Sequence, residues 1–173
     1  GFWNDQKKKQ YKNSYFNKYR NIWCHGDLME VTPRGGAIIY GRSDTVLNPG
    51  GVRIGTAEIY REVEDMTEIN EAIAIGQKIK SDTRIILFVK LNYNLELTPS
   101  LENRIRIRIK TNTSPRHVPA KILKVPDIPK TKSGKIVEKT VENIVNGIDI
   151  TNLDSLANPE SLAFFENRPE LIT

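Results

Sequence analysis

The sequence predicts an α+β fold with helices packed on a sheet, and three observations carry that prediction. Two apolar runs, residues 72–79 and 84–91, have strand character. Residues 98–110 place Leu101, Ile105 and Ile109 on one helical face behind a Thr98-Pro99 start. Further on, Ile136, Val137, Val141, Ile144 and Val145 recur at helical spacing and stop at Gly147.

Taken in order, the first segment holds Phe2, Trp3, Tyr11, Tyr15, Phe16, Tyr19 and Trp23 with little aliphatic content, a set expected to need a partner surface. Leu28 to Thr32 and Ala37 to Tyr40 flank Pro33-Arg34-Gly35-Gly36, where proline and paired glycines favour a reversal, so a β-hairpin is predicted. Gly41 to Thr45 breaks that pattern with a polar passage, and a domain boundary is placed there. From Thr56, the recurrence of Ile59, Val63 and Met66 predicts a helix. Thr56 is its expected cap, and Glu58 stands in the first turn, where a carboxylate complements the helix dipole.

In the two strand candidates Ile73 alternates with Ile75, and Ile85 to Val89 is β-branched and aromatic, so they are expected side by side in a sheet. Arg104-Ile105-Arg106-Ile107-Arg108-Ile109 alternates like a strand, yet the proline start and the shared apolar face favour a helix with Ile107 partly exposed. Ala120 to Val125 reads as a short strand. In the tail, Asn158-Pro159-Glu160 starts a short helix carrying Leu162 and Phe165 before Pro169. That tail is expected to wrap the domain or touch a neighbour, without chemistry of its own.

The 173 residues, 38% hydrophobic, suffice for one domain or one domain plus a piece of another. No apolar stretch approaches the roughly 20 residues of a membrane helix, and the first residues lack the apolar core of a secretion signal. These features argue against insertion or export and lead to the expectation of a cytoplasmic protein. Cys24 is the only cysteine, which excludes an internal disulfide and a cysteine-rich zinc site; with His25 and His117 the only histidines, no structural metal is expected. The net charge of +5 is concentrated at Lys7-Lys8-Lys9 and at Arg104, Arg106, Arg108 and Lys110. Nucleic acid, anionic lipid, a nucleotide-like ligand or a solvated basic face all fit such a balance. The start at Gly1 and the aromatic first segment lead to the expectation of a piece of a longer protein.

The run Pro129-Lys130-Thr131-Lys132-Ser133-Gly134-Lys135 places a lysine at the end of a glycine-containing loop, expected between a strand and a helix. Gly134 permits a left-handed turn or close approach to a ligand, and Thr131 and Ser133 add hydroxyls, so the loop suits a phosphate or a carboxylate. The phosphate-binding loop of nucleotide triphosphatases needs Ser or Thr after its Gly-Lys pair, whereas Ile136 follows here.

Two further constellations precede it: Trp23-Cys24-His25-Gly26-Asp27, and Gly41-Arg42-Ser43-Asp44 followed by Leu47-Asn48-Pro49-Gly50-Gly51-Val52-Arg53-Ile54-Gly55-Thr56-Ala57-Glu58-Ile59. In this order, with the lysine loop, they resemble the carboxy-terminal motifs of the adenylate-forming acyl-CoA synthetases, relatives of the acetyl-CoA synthetases and the luciferases. Within that superfamily, residues 47–61 and the tail Leu156-Ala157-Asn158-Pro159-Glu160-Ser161-Leu162 are most similar to the acetoacetyl-CoA synthetase family. The resemblance covers nearly the whole chain, with residues 1–20 the least diagnostic.

The resemblance implies that residues 1–41 end a large amino-terminal AMP-binding domain and that residues 42–45 are a hinge. Residues 46–147 would then form the small mobile carboxy-terminal domain and residues 148–173 a tail packed on it. It implies an acid-thiol ligase that couples acetoacetate to AMP and then to CoA, using ATP. Lys135 aligns with the adenylation lysine, whose charge acylation neutralises in several family members. Asp27 aligns with the carboxylate that accepts from the ribose hydroxyls, Arg42 and Arg53 with arginines near ribose and phosphate, and Asp44 with the hinge residue. Gly51 would leave room for the pantetheine arm, and Arg106, Arg108 or Lys110 would face the CoA phosphates. The Mg2+ ligands, the acyl pocket and most adenine contacts are expected in the missing amino-terminal domain, so the isolated chain is expected to be inactive. The alternatives are another short-chain synthetase, acting on acetate or propionate, and, in a different class, a basic nucleic-acid-binding module. With the synthetase reading neither nucleic acid nor a membrane span is expected.

Overall fold

The computed structural model describes residues 2–80, 82–150 and 153–172. A short helix α1 (Lys9–Phe16) precedes a hairpin of β1 (Asp27–Val31) and β2 (Ala37–Arg42), antiparallel with Asp27 opposite Arg42. There follow α2 (Thr56–Val63), β3 (Ile69–Ile79), β4 (Asp82–Leu91), α3 (Pro99–Asn112), β5 (Lys121–Lys124) and α4 (Glu138–Val145), then a tail of 3-10 turns. The fold is α+β, as the sequence predicts.

The main sheet has the order β3-β4-β5, with β3 antiparallel and β5 parallel to β4. Parallel strands need a crossover, which α3 supplies between β4 and β5. Side chains alternate across the sheet, and both faces are apolar. On one face Ala72, Ala74, Leu87 and Val89 meet Ile59 and Val63 of α2 and Leu101, Ile105 and Ile109 of α3. On the other, Ile73, Ile75, Ile86 and Phe88 meet Val141 of α4 together with Phe165 and Leu171 of the tail. The tail is anchored by an edge-to-face contact of Phe165 on Phe88, with ring centroids 4.8 Å apart. Hydrogen bonds from Gln77 and Arg84 to the Leu171 carbonyl, each 3.0 Å, hold its far end.

Several elements differ from the sequence expectation. Gly55, not Thr56, caps α2, and its amide donates to the Glu58 carboxylate at 3.1 Å, so the side chain three residues into the helix satisfies the free N–H. The helix ends at Val63, and Met66 reaches the core from the following turn. Ile136 pairs with Lys130 in an antiparallel bridge, so α4 begins two residues later and the lysine loop is a hairpin rather than a direct strand-to-helix link. The tail's Pro159–Phe165 segment is 3-10 rather than a regular helix; it ends before Pro169, as expected, and Pro169 opens another such turn. The first-segment aromatics partly cover one another: Tyr15 stacks on Trp23 at 4.1 Å, and Tyr11 and Phe16 meet Trp23 edge-on, while Trp3 stays exposed.

In α3, Thr98 caps as predicted, its hydroxyl accepting from the Leu101 amide at 3.2 Å, and Ile107 is the exposed isoleucine. No helix among the described residues is long and apolar enough to cross a membrane.

Candidate functional site

Two clusters hold the residues singled out by the sequence. The first surrounds Arg42, at the end of β2. Its guanidinium donates to the His25 carbonyl at 2.9 Å, to Asp27 at 3.4 Å and to Asp44 at 3.2 Å. A planar fork with several donors suits this task, because three acceptors in different directions can be engaged at once. Asp27 also pairs with Nδ1 of His25 at 2.5 Å. Gly26, at φ +86°, makes the turn into β1, and a Cβ there would come within 2.7 Å of the Arg42 guanidinium. The expected ribose carboxylate and the expected hinge aspartate therefore share one cation, the Gly-Arg arginine. Arg53 is exposed beside them and lines a groove of about 210 Å³ with Lys18, Leu28, Ser43, Val46 and Asn48.

The second cluster is the lysine loop. The Thr131 amide donates to the Lys135 carbonyl at 2.8 Å, and the Lys135 amide to the Thr131 hydroxyl at 3.0 Å. Gly134, at φ +81°, makes the reversal. The loop backbone is thus closed on itself while the Lys135 side chain is exposed, with no hydrogen bond or ion pair among the described residues. Lys130 is the opposite case: its ammonium is bound to Glu71 on β3, so its charge is consumed inside the fold.

Gly51 lies in a turn at φ +80° with open space where a Cβ would stand. The turn is held by Asp82, at the tip of the β3-β4 hairpin, which accepts from the Gly50 amide at 2.9 Å. Backbone donors at Thr83 and Gly50 keep the Asp82 carboxyl below the usual carboxylate range. No hydrogen bond or ion pair among the described residues ties Gly51, Arg53 or Lys135 to the Arg42 cluster.

The basic helix is less free than its sequence suggests. Arg104 pairs with Glu68; Arg106 donates to the Pro119 carbonyl; Arg108 faces Glu62 at 3.7 Å and Asp65 at 3.4 Å. Arg106 and Arg108, expected toward CoA phosphates, are engaged within the domain, and Lys110 alone of that trio has no such partner among the described residues. No group of three or more His, Cys, Asp and Glu side chains among the described residues is placed to hold a metal.

Asn158 was not legible as a site residue. The sequence shows it as a helix start before Pro159 and as part of the family-like tail, without a role of its own, yet its side chain reaches the lysine loop: Oδ1 accepts from the Lys130 amide at 2.8 Å.

The AMP-binding enzyme C-terminal domain family matches residues 62–135. The acetoacetyl-coenzyme A synthetase of Rhizobium meliloti (strain 1021) is 55% identical over 98% of this chain, which spans 26% of that protein. Along nearly its whole length the chain is homologous to acetoacetyl-CoA synthetases. The Xenopus tropicalis member is 42% identical over the same share. The acetoacetyl-CoA synthetase structure from Streptomyces lividans superposes with a TM-score of 0.84 at 40% identity, covering 95% of this chain and 25% of that one. The chain thus spans about a quarter of the length of the family members it matches, and it contains their AMP-binding C-terminal domain.

Proposed function

We propose that this chain is the carboxy-terminal part of an ATP-dependent acetoacetyl-CoA synthetase and supplies its adenylation lysine. The observation that carries the reading is the presentation of Lys135: an exposed ammonium on a closed hairpin, without a partner among the described residues, in a chain 55% identical to an acetoacetyl-coenzyme A synthetase along 98% of its length.

A carboxylate is a poor acyl donor because its leaving group would be an oxide. An acetoacetate oxygen therefore attacks the α-phosphorus of ATP and expels diphosphate, and the CoA sulfur then attacks the acyl carbon and expels AMP. In the first step two anions must meet. A cation between their oxygens offsets the repulsion and stabilises the charge that builds in the transition state. Lys135 is that cation, and its flexible four-carbon stem lets it reach into a site built mainly by another domain.

Asp27 accepts from the ribose hydroxyls. Its oxygens already bind His25 and Arg42, yet a carboxylate has about four lone-pair sites, which leaves capacity for a diol. Arg42 and Arg53 serve the nucleotide phosphates. Residues 1–41 end the large domain, 42–45 form the hinge with Asp44 absorbing the backbone change, 46–147 are the mobile domain, and 148–173 the tail. After rotation the Gly50-Gly51 turn replaces Lys135, and Gly51 leaves backbone room for the pantetheine arm. Mg2+ comes with ATP and is held outside this chain. The cytoplasm is the proposed compartment.

The test is thioester formation by the full-length enzyme with acetoacetate, acetate, propionate and butyrate in parallel, each with and without Lys135→Ala. Preference for acetoacetate, lost in the variant, is expected. Preference for another acid rejects the substrate, and full activity of the variant rejects the role of Lys135.

A further inference from the structure

The tail clasps the lysine loop. Thr131 and Leu156 form an antiparallel bridge, the Ala157 amide donates to the Lys130 carbonyl at 2.8 Å, and the Lys132 amide donates to the Ser155 carbonyl at 3.0 Å. At the centre is Asn158. Its Oδ1 accepts from the Lys130 amide at 2.8 Å, while Nδ2 donates to Asp127 at 2.5 Å and to the Ile128 carbonyl at 3.0 Å. Asp127 in turn accepts from Lys90 at 2.7 Å, and Lys90 stands 3.8 Å from Glu71, the carboxylate that binds the Lys130 ammonium.

Lys130 is therefore fixed at its amide, its carbonyl and its side chain, five residues before Lys135. A hairpin held at its base projects its tip in one direction, and the bridge from Lys130 to Ile136 carries that base directly to the residue after Lys135. We infer that Asn158 is a positioning residue for adenylation, with the tail segment 155–158 acting as a brace that sets where the Lys135 ammonium points. The inference rests on the reading of Lys135 given above.

A primary amide suits the position because it must accept from a backbone N–H and donate to a carboxylate at the same time. Alanine supplies neither function. Aspartate keeps the acceptor but sets a second carboxylate against Asp127.

The experiment uses the full-length enzyme and reads the two half-reactions separately: acetoacetate-dependent exchange of diphosphate into ATP, and thioester formation from supplied acetoacetyl-adenylate and CoA. Asn158→Ala is expected to lower the exchange turnover number about 10- to 100-fold, the scale of a misplaced catalytic group. Its KM for ATP and its thioester rate are expected to stay within about twofold, because the brace acts on the lysine loop and not on nucleotide binding. Asn158→Asp should show the same split with a smaller loss, and it carries the test if the alanine variant does not fold.

Adding Asn158→Ala to Lys135→Ala is expected to cause no further loss of exchange. An equal further loss there, or equal damage to both half-reactions, overturns the positioning role while leaving Lys135 in place. Unimpaired exchange by Lys135→Ala alone overturns the reading of Lys135, and the brace with it.

Discussion

The phenol of Tyr60 on α2 donates to Glu138 at the start of α4 at 2.5 Å and accepts the Ala74 amide of β3 at 3.1 Å. β3 is an edge strand of the main sheet, so Ala74 offers an outward N–H, and Tyr60 satisfies it while linking helices that pack on opposite faces. Tyr60→Phe leaves that amide and one carboxylate oxygen without their partner, at an expected cost of about 1–3 kcal/mol in denaturant unfolding. Burial first, and then the Glu138 charge, push the phenol well above its ordinary value. An unfolded chain gives up the phenolic proton first as pH passes about 10, so stability falls from there toward the folded value. Tyr60→Phe should flatten that alkaline limb, and an unchanged limb would show that another group sets it.

The brace has its own pH signature. Burial alone would raise Asp127, but hydrogen bonds from Lys90 and Asn158 outweigh it and hold the carboxyl below its usual range. Lys90 is raised, first by its hydrogen bond to Asp127. A depressed carboxylate contributes stability above its unfolded pKa and loses it as pH falls through the folded one. A raised lysine contributes below its unfolded pKa and loses it as pH rises through the folded one. The pair should therefore stabilise between about pH 4 and pH 10. Asp127→Asn should lower the unfolding midpoint at pH 7, and its gap from the parent should narrow as pH falls through the lowered pKa of the folded carboxyl. A gap that does not narrow as the solution is acidified would assign the loss to packing.

Gly55 is irreplaceable for a steric reason. Its φ is an ordinary −76°, but a Cβ would run into the Tyr40 carbonyl oxygen and stand 2.9 Å from the Tyr40 Cβ. Backbone cannot swing aside as a long side chain can, so Gly55→Ala should destabilise by about 1–3 kcal/mol or more, the usual scale of overpacking. Gly134→Ala meets no neighbour and is strained only by its positive φ, with a cost of about 1 kcal/mol. Thermal melting of the two variants side by side should rank them in that order.

Lys135→Ala should lower the adenylation rate constant about 100- to 1,000-fold, the range for removing one transition-state electrostatic donor. Lys135→Arg keeps the charge but changes stem and fork, and it should recover only part of the rate. Full recovery by arginine would show that charge alone suffices.

The strands and helices were legible because burial imposes a period on the side chains. Ile73 and Ile75 mark one sheet face, and Leu101, Ile105 and Ile109 mark one helix stripe. The motif residues were legible as types, and Asp27, Arg42 and Asp44 proved to be neighbours. The start of α4 was misread because Ile136 serves a bridge whose partner, Lys130, lies across a reversal, and a helical period cannot distinguish the two uses of an apolar residue. Arg104 and Arg108 of α3 looked free because their acidic partners stand far away in the sequence, at Glu62, Asp65 and Glu68.

By itself, then, the sequence determined the apolar periods, the proline and glycine breaks and the chemistry available at each motif, all of which depend on residues close together in the chain. Only the tertiary structure decided which of those groups are spent and which are free. Lys130 and Lys135 are the same residue type in one loop, yet the first is bound to Glu71 and clasped by Asn158, while the second is exposed with no partner among the described residues. The physical reason is that a backbone N–H is present at every residue except proline. The bond that joins Lys130 to an amide 28 positions away therefore leaves no pattern in composition or spacing, and exists only once the chain has folded.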